Sequence, residues 1–463
     1  MVIAKDIIAR TLKTPEGEGA YQIVEKLTDA GFDAWWVGGC VRDMLLEKLP
    51  TDIDIATSAK PQQIMHLFPK GDDTGAAFGS IHVPSRSSIF HVTTFREDDT
   101  ASDGRHPETV IFGSREKDAE RRDFTVNALY FHPVSRELYD PFQGEKDLKE
   151  RLVRFIGNPT VRIQHDALRM LRAVRLRATI VGQYHPETYS ALKENCTLME
   201  VLSGSRKLEE LEKMLLCPHP DRALEDLWEL GLLQQFLPEL SICKGIPQPA
   251  DYHHEGDVWE HILLCARSFQ EEHGIDVRLA AIFHDCGKAQ TFSFGAERIR
   301  FDQHASVSGD LAKKALDRLQ ITSKRREKIV WLIRHHMMMN AFSPSTSSGQ
   351  APMSEERKAH WYYHPWYTEL LELFWLDIAG TSPADYRFLK SILKDYHSFL
   401  DSHPRPPKVL LTGDEVMEIL GLKPGEEVGA ILHSLYEEQL AKRITTKKEA
   451  KVFVEARGKG KKT

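Results

Sequence analysis

The chain is poor in cysteine and the few it has form no pattern: Cys40, Cys196, Cys217, Cys243, Cys265 and Cys286 are scattered through 463 residues without a CxxC pair. That excludes a zinc ribbon and a disulfide framework and leaves reduced core thiols. No stretch approaches the roughly 20 apolar residues of a membrane span. The N-terminus, MVIAKDIIARTLKTPEGEG, has no apolar segment followed by small residues of the secretory kind. A cytoplasmic location with no membrane partner is therefore expected. Positive charge is not in excess either. With 61 Lys and Arg against 68 Asp and Glu the net charge is −7, so a basic coat for indiscriminate nucleic-acid binding is excluded and any such contact must be local. One local candidate is the strip 442–462, with Lys442, Arg443, Lys447, Lys448, Lys451, Arg457, Lys459, Lys461 and Lys462 against Glu449 and Glu455. Such a run also serves as a solvated tail. No internal repeat is present.

What is present suits a globular chain of several domains. Hydrophobic residues make up 41% and charged residues 28%, enough to bury large cores, and roughly 100–200 residues per domain predicts three or four units. Four are expected, at 1–150, 151–250, 251–400 and 401–463. The first alternates helix and strand patterns in an α+β manner. Helices are predicted at 21–30 and 41–46, and strands at 33–37, 51–56, 80–83, 89–95 and 110–112, with a polar loop at 96–107. From 152 onward the periodicity is helical, including one Leu- and Arg-rich run at 160–178. Prolines near 246–250, a Ser-rich loop at 343–349 and Pro404, Pro406 and Pro407 punctuate the rest.

In Thr51-Asp52-Ile53-Asp54-Ile55 the period of two puts both carboxylates on one strand face and both isoleucines on the other. Two acids on one face repel unless cations sit between them, and oxygen-ligand cations such as Mg2+ suit the pair. Alone, the pattern also describes a solvent-facing acidic strand. One short helix earlier stands Gly38-Gly39-Cys40-Val41-Arg42-Asp43. Its glycines let backbone N–H groups approach a polyphosphate, and the helix start adds partial positive charge. Asp166 and Arg169 lie at i and i+3 of a predicted helix, on one face. A carboxylate acceptor beside a guanidinium donor matches an exocyclic amine next to a ring nitrogen, which cytosine and adenine present and guanine and uracil do not. The plainer alternative is an intrahelical salt bridge.

With Arg121-Arg122-Asp123-Phe124-Thr125-Val126-Asn127-Ala128-Leu129 and Asp166-Ala167-Leu168-Arg169-Met170-Leu171-Arg172-Ala173-Val174-Arg175 following in order, the chain resembles the polymerase-β-like nucleotidyltransferases. Within them it is similar to class II CCA-adding enzymes and bacterial poly(A) polymerases over about residues 18–205. The resemblance implies an α+β chain: a polymerase-β-like head, with a small mixed sheet and helices, followed by an all-α neck, body, HD domain and tail. It implies that Asp52 and Asp54 bind Mg2+ and activate an RNA 3′-hydroxyl for attack on the α-phosphate of CTP or ATP, expelling pyrophosphate. It assigns nucleotide contacts to Gly38, Gly39, Arg42, Arg122, Asp123, Asn127, Asp166, Arg169, Arg172 and Arg175. The implied partners are the tRNA 3′ end, CTP and ATP. Two positions depart from the family: His165 stands where an acidic residue usually precedes the Asp, and Gln143-Gly144 stands where a double glycine is usual.

The polar loop, with Asp103, Arg105 and His106, has the length and pattern expected of members that add the terminal A. The run from Gly75 to Val83 lacks the GRRF-like stretch of poly(A) polymerases. Addition of CCA, or of A alone in a split system, is implied, and the motifs do not separate the two. Further on, Gly256-Asp257-Val258-Trp259-Glu260-His261 and Leu279-Ala280-Ala281-Ile282-Phe283-His284-Asp285-Cys286-Gly287-Lys288 begin an order H…HD…H…H…D that resembles the HD phosphohydrolases. His261, His284, Asp285 and Asp377 are the implied ligands of a second divalent ion, Ni2+, Mn2+ or Mg2+, with His304 and one of the adjacent pair His335-His336, taken as His335, as further candidates. The implied chemistry is hydrolysis of phosphates at RNA 3′ ends. Two alternatives stand beside it: an inactive HD module that only binds RNA, and a hydrolase or nucleotide sensor whose head is regulatory. The tail from Leu411-Thr412-Gly413-Asp414 resembles the C-terminal helical segment of HD-containing members and implies support for the tRNA elbow. The sequence leaves the oligomeric state open.

Overall fold

The computed structural model describes residues 3–86, 88–97, 111–249, 254, 256–295, 299–342, 353, 355–403, 406, 408–440 and 442–459. The chain forms two compact units, Met1–Ser241 and Ile242–Thr463.

The first unit opens with the helices Lys5–Thr11 and Pro15–Asp29. Thr14 accepts a hydrogen bond from the Gly17 N–H at 3.0 Å, and Pro15 fills the first helical position, where a missing N–H costs nothing. Up to residue 150 its described strands are β1 (Ala34–Val37), β2 (Asp54–Thr57), β3 (Ser80–Ser85), β4 (Ser88–Thr94), β5 (Arg96–Glu97), β6 (Ile111–Phe112), β7 (Tyr130–His132) and β8 (Glu137–Tyr139), and a further parallel pair, Leu152–Val153 with Gln183–Tyr184, follows. Six of them join in the order β3-β4-β2-β1-β7-β8, with β2 and β4 parallel and the other neighbours antiparallel; β5 and β6 pair separately. Central β1 is buried along its whole length. Successive side chains point to opposite faces, so Trp35 packs with Phe95, Ala119 and Tyr130 while Trp36 meets Phe131.

Two registers position the site. Val37 lies opposite Asp54 on one side and Tyr130 on the other, so the chain leaving β1 at Gly38 turns beside both. Gly38 makes that turn at φ 76°, ψ −126°, a conformation that glycine adopts without steric cost. β2 begins later than the pattern predicts, so Asp52 precedes the strand. The alternation nevertheless holds, with Asp52 and Asp54 exposed and Ile53 and Ile55 buried.

The predicted continuous helix over 160–178 is two helices, Pro159–His165 and Leu168–Ile180. Asp166 sits between them in an extended conformation, φ −151°, ψ 104°. Its carboxylate accepts the Leu168 N–H at 3.1 Å, the local side-chain bond by which Asp competes with helix continuation and starts a new helix instead. The Gln143-Gly144 departure also resolves. Gln143 takes the left-handed conformation, φ 59°, which a non-glycine residue tolerates at modest cost. A Cβ on Gly144 would lie 2.2 Å from the Thr125 carbonyl oxygen. Only the second position demands glycine.

Among its described residues the second unit is helical apart from the hairpin Phe292–Phe294 and Ile299–Phe301. Helices Val258–Arg267, His304–Arg318 and Tyr367–Ala379 carry His261, His304 and Asp377, while His284 and His336 cap the ends of helices Ile275–Phe283 and Ser323–His335. The C-terminal helices Gly413–Leu420, Glu426–Leu440 and Lys447–Lys459 close over a core of their own, including Leu411, Val416, Ile431 and Val454. Thr412 and Glu415 form a capping box at the first of these helices. A small mixed sheet with helices, followed by a helical remainder, is the α+β class that the sequence implies. No helix among the described residues is long and apolar enough to cross a membrane.

Candidate functional site

In the head, Asp54 reaches solvent, but the protein crowds it. Burial first, and the like charge of Asp52 second, push its carboxyl above the usual range, while His91 and Arg122 act the other way. Two mutually repelling carboxylates suit a hard divalent cation. His91 is absent from the sequence reading. It lies on β4 one step before the pairing of Val92 with Ile55, and the polar-out alternation of that strand is the signal that could have found it.

Beside this pair runs a relay of side chains from three motifs. Arg42 donates to Asp43 and, from Nη1, to Asn127 Oδ1 at 2.8 Å. Asn127 Nδ2 donates to Asp123 Oδ1 at 3.4 Å, and Arg172 Nε donates to Asp123 Oδ2 at 2.7 Å. Burial alone would raise the Asp123 carboxyl, but the Arg172 guanidinium and the Asn127 bond outweigh it and hold it below the usual range. Arg122 lies over the Tyr130 ring, 5.0 Å from its centroid, and donates to the Tyr130 hydroxyl at 2.9 Å and to Asp118 at 3.1 Å. The Tyr130 hydroxyl in turn donates to buried Asp118 at 2.7 Å. A Cβ on Gly38 would come within 3.2 Å of the Arg122 guanidinium, so this glycine also keeps room for the cation.

The base-reading candidates stand at the helix break. Asp166 accepts from Arg206 Nη2, and Arg169 Nη1 donates to the Arg162 carbonyl at 2.7 Å. Arg162 in turn donates to the backbone carbonyls of Arg121 and Arg122. Because Asp166 is not helical, the expected i, i+3 face is replaced by a junction. Arg175 turns away from the relay to Glu210, at 2.8 Å. Asp118, Tyr130, Arg162, Arg206 and Glu210 went unread. Of these only Asp118, three and four positions before Arg121 and Arg122, carries a local signal. Asp103, Arg105 and His106 lie outside the described residues.

The second unit gathers His261, His284, Asp285, His304, His336 and Asp377. Each imidazole has Nδ1 on a backbone carbonyl: His261 on Gly380 at 3.0 Å, His284 on Ala281 at 2.7 Å, His304 on Phe301 at 2.9 Å and His336 on Ile333 at 2.7 Å. A carbonyl only accepts, so Nδ1 carries the proton and Nε2 is left as a donor atom for a metal. The four Nε2 atoms converge in two sets. His261 and His284 face Asp285 Oδ2 at 3.7 and 3.4 Å and Asp377 at 3.2 and 3.5 Å. His304 and His336 face Asp285 Oδ1 at 3.4 and 3.7 Å and each other at 3.2 Å. Burial holds His336 neutral, its value pulled down to about 3, and lowers His304 as well. Converging lone pairs without intervening protons fit divalent cations.

His335 is not one of these residues. The helix Ser323–His335 ends there, and the next residue, at the cap, points inward. His335 instead donates to the Trp331 carbonyl at 2.7 Å and packs on that indole. A cavity of about 610 Å3 opens on the cluster, lined in part by Lys288, Phe301, Asn340 and Thr381. In the basic strip, Arg443 is paired with Glu438, Lys447 with Glu415, and Arg457 with Ser434.

The comparisons with known proteins follow this division. Residues 34–154 match the poly A polymerase head domain, 183–243 the probable RNA and SrmB-binding site of polymerase A, and 252–358 the HD domain. Among individual proteins, the chain is similar to CCA-adding enzymes. That of Pediococcus pentosaceus is 43% identical over 213 residues, 46% of this chain and 54% of the relative, and that of Geobacillus stearothermophilus is 40% identical over 228 residues, 49% and 56%. The matched stretch thus spans about half the length of these relatives. Among solved structures, the Bacillus stearothermophilus CCA-adding enzyme in complex with CTP aligns over 96% of this chain and 98% of its own with a TM-score of 0.62 at 24% identity. The Thermotoga maritima CCA-adding enzyme complexed with tRNA aligns over 98% of both at 0.53 and 17%. At such identities the likeness is one of fold.

Proposed function

We propose that the chain extends the 3′ end of tRNA with CCA, or with its terminal A, from CTP and ATP, without a nucleic-acid template and with release of pyrophosphate. The observation that carries this reading is the relay Asp43–Arg42–Asn127–Asp123–Arg172 beside the Asp52/Asp54 pair, and the CCA-adding relatives support it. Asp52 and Asp54 would hold Mg2+, which when bound would stabilise charge on the attacking and leaving oxygens. The backbone at Gly38 and Gly39, with Arg42 and Arg122, receives the triphosphate. Asn127 and Asp123 meet the sugar, and Arg172 aims Asp123. Asp166 and Arg169 read the base edge, while Arg175 acts from behind through Glu210. Asp103, Arg105 and His106 belong to the loop for terminal A addition. The four divisions at 1–150, 151–250, 251–400 and 401–463 serve catalysis, base selection, metal binding and tRNA support, and the work is cytoplasmic.

The test offers purified protein three labelled tRNAs, ending at the discriminator base, at C and at CC, with CTP and ATP separately and together under Mg2+. Growth of all three to CCA identifies complete addition. Extension of the CC-ended tRNA alone, by one A, identifies the A-adding half of a split system. No extension of any sinks the reading.

A second activity is favoured by the four inward Nε2 atoms. His261, His284 and Asp377 on one side and His304 and His336 on the other, with Asp285, would hold divalent metal, and the HD unit would hydrolyse phosphates or cyclic phosphates at RNA 3′ ends. When bound, the ions activate water and polarise the phosphoryl oxygens. Lys288, 2.6 Å from Asp285 and 2.7 Å from Gln248, steadies the shared carboxylate. Phosphate release with Ni2+, Mn2+ or Mg2+ that vanishes in His284→Ala and survives in Asp52→Ala supports this. Metal binding without release with any of the three leaves an RNA-binding module.

A further inference from the structure

Arg206 lies outside every motif read from the sequence, in the first turn of the helix Gly204–Leu215. Its guanidinium reaches back to Asp166, Nη2 donating to Oδ1 at 3.1 Å and to Oδ2 at 3.0 Å. Oδ1 also accepts the Leu168 N–H at 3.1 Å. A carboxylate offers about four lone-pair directions, and these bonds occupy both of those on Oδ1 and one on Oδ2. Among the described residues one direction on Oδ2 remains, on a side chain that is 24% exposed. The carboxylate is thereby fixed in rotation at the junction of two helices, with a single outward acceptor.

We propose that Arg206 is a specificity-determining positioning residue, one that aims the last acceptor of Asp166 at the exocyclic amine of the incoming base. This rests on the base-reading role proposed above for Asp166. Cytosine N4 and adenine N6 donate, whereas uracil O4 and guanine O6 bring a second acceptor to the same place. A fixed, acceptor-only edge pairs with the first two and leaves the others unpaired and repelled, the condition under which a polar site discriminates strongly. Without Arg206 the carboxylate turns and water fills the vacated directions. A water donating to the carboxylate has a second hydrogen, which it hands to a carbonyl, so uracil and guanine become acceptable. A plain tether between helices Leu168–Ile180 and Gly204–Leu215 would instead affect all four nucleotides alike.

The experiment measures kcat/KM with the full chain for CTP and UTP on tRNA ending at the discriminator base, and for ATP and GTP on tRNA ending in CC. Arg206→Gln is expected to lower the CTP:UTP and ATP:GTP ratios by about 10-fold or more, with Arg206→Lys recovering most of the loss. Arg206→Met, which keeps the aliphatic stem, repeats the test if the Gln variant does not fold. Equal slowing of all four nucleotides, with unchanged ratios, overturns the proposal. Asp166→Ala separates the two layers. Relaxed ratios there with unchanged ratios in Arg206→Gln sink Arg206 alone, and unchanged ratios in Asp166→Ala sink the base-reading role itself.

Discussion

Arg42 donates to the side-chain oxygen of Asn127 at 2.8 Å across 85 positions of sequence. That bond decides the amide orientation, because Asn127 Nδ2 then faces Asp123 as a donor. One asparagine thus joins the glycine cradle to the buried acid below. Asn127→Ala removes both bonds and leaves the Arg42 cation and the Asp123 carboxylate each short of a partner. A lost bond to a charged group is worth about 1.5–3 kcal/mol, so nucleotide kcat/KM should fall roughly 10–100-fold. Steady-state extension assays check this, and a loss under threefold would remove Asn127 from the relay.

Asp52→Asn and Asp54→Asn keep shape and hydrogen-bonding capacity while halving the charge of the pair. If cation binding there drives transfer, each should cut nucleotide addition about 1000-fold or more, since the ion stabilises charge at both reacting oxygens. The HD unit should keep its metal content by elemental analysis. Retention of more than a tenth of the extension rate in both variants would rule out a shared ion.

The head was readable because its chemistry is local: Gly38-Gly39, Asp52-x-Asp54 and Arg122-Asp123 are each a few residues long, and strand alternation fixes which side chains share a face. What escaped depends on distance in sequence. Arg206 meets Asp166 over 40 positions and His336 meets His304 over 32, and no periodicity carries such information. The break at Asp166 escaped for a different reason. Leu and Arg at helical spacing continue straight through it, and a single side-chain bond to Leu168 overrides that pattern. Choosing between His335 and His336 required knowing where the helix turns, about 100° per residue, which boundaries read from sequence do not supply.

Exchanging those two neighbours gives opposite outcomes. His336→Ala removes a donor from the set shared with His304 and Asp285, and should reduce bound divalent metal by about one ion per chain or weaken it 10–100-fold. His335→Ala loses ring packing on Trp331 and should leave metal content unchanged. Equal metal loss in both variants would contradict the assignment of the two sets.

Gly380 offers a route to the other set that replaces no ligand. Its carbonyl accepts from His261 Nδ1, and a Cβ there would lie 2.3 Å from Cys265 Sγ and 3.0 Å from His261 Cε1. Both neighbours are buried and have little room to yield. Gly380→Ala should therefore displace His261, destabilise the unit by about 1–3 kcal/mol and lower metal affinity, with tRNA extension kept at the level of the parent chain. Undiminished metal binding would mean that His261 is not held by this contact.

Asp123 and Arg172 make the acid side of the stability profile predictable. Burial would raise the Asp123 carboxyl, but Arg172 and Asn127 hold it below its ordinary value of about 4. Between the folded and unfolded values the unfolded chain binds more protons, so stability increases with pH in that window. The contribution is complete above about pH 4 and disappears as pH falls through the lower folded value. Asp123→Asn lacks this titration. Its melting temperature should lie below the parent's at neutral pH, and the gap should narrow as pH drops from about 5 toward 3. Asp118, held low against burial by Arg122 and Arg121, remains in the variant and leaves a residual slope of the same sign. Parallel melting curves across that range would show that the Asp123 carboxylate gains nothing from Arg172 in the folded chain, and its place in the relay would then be geometric only.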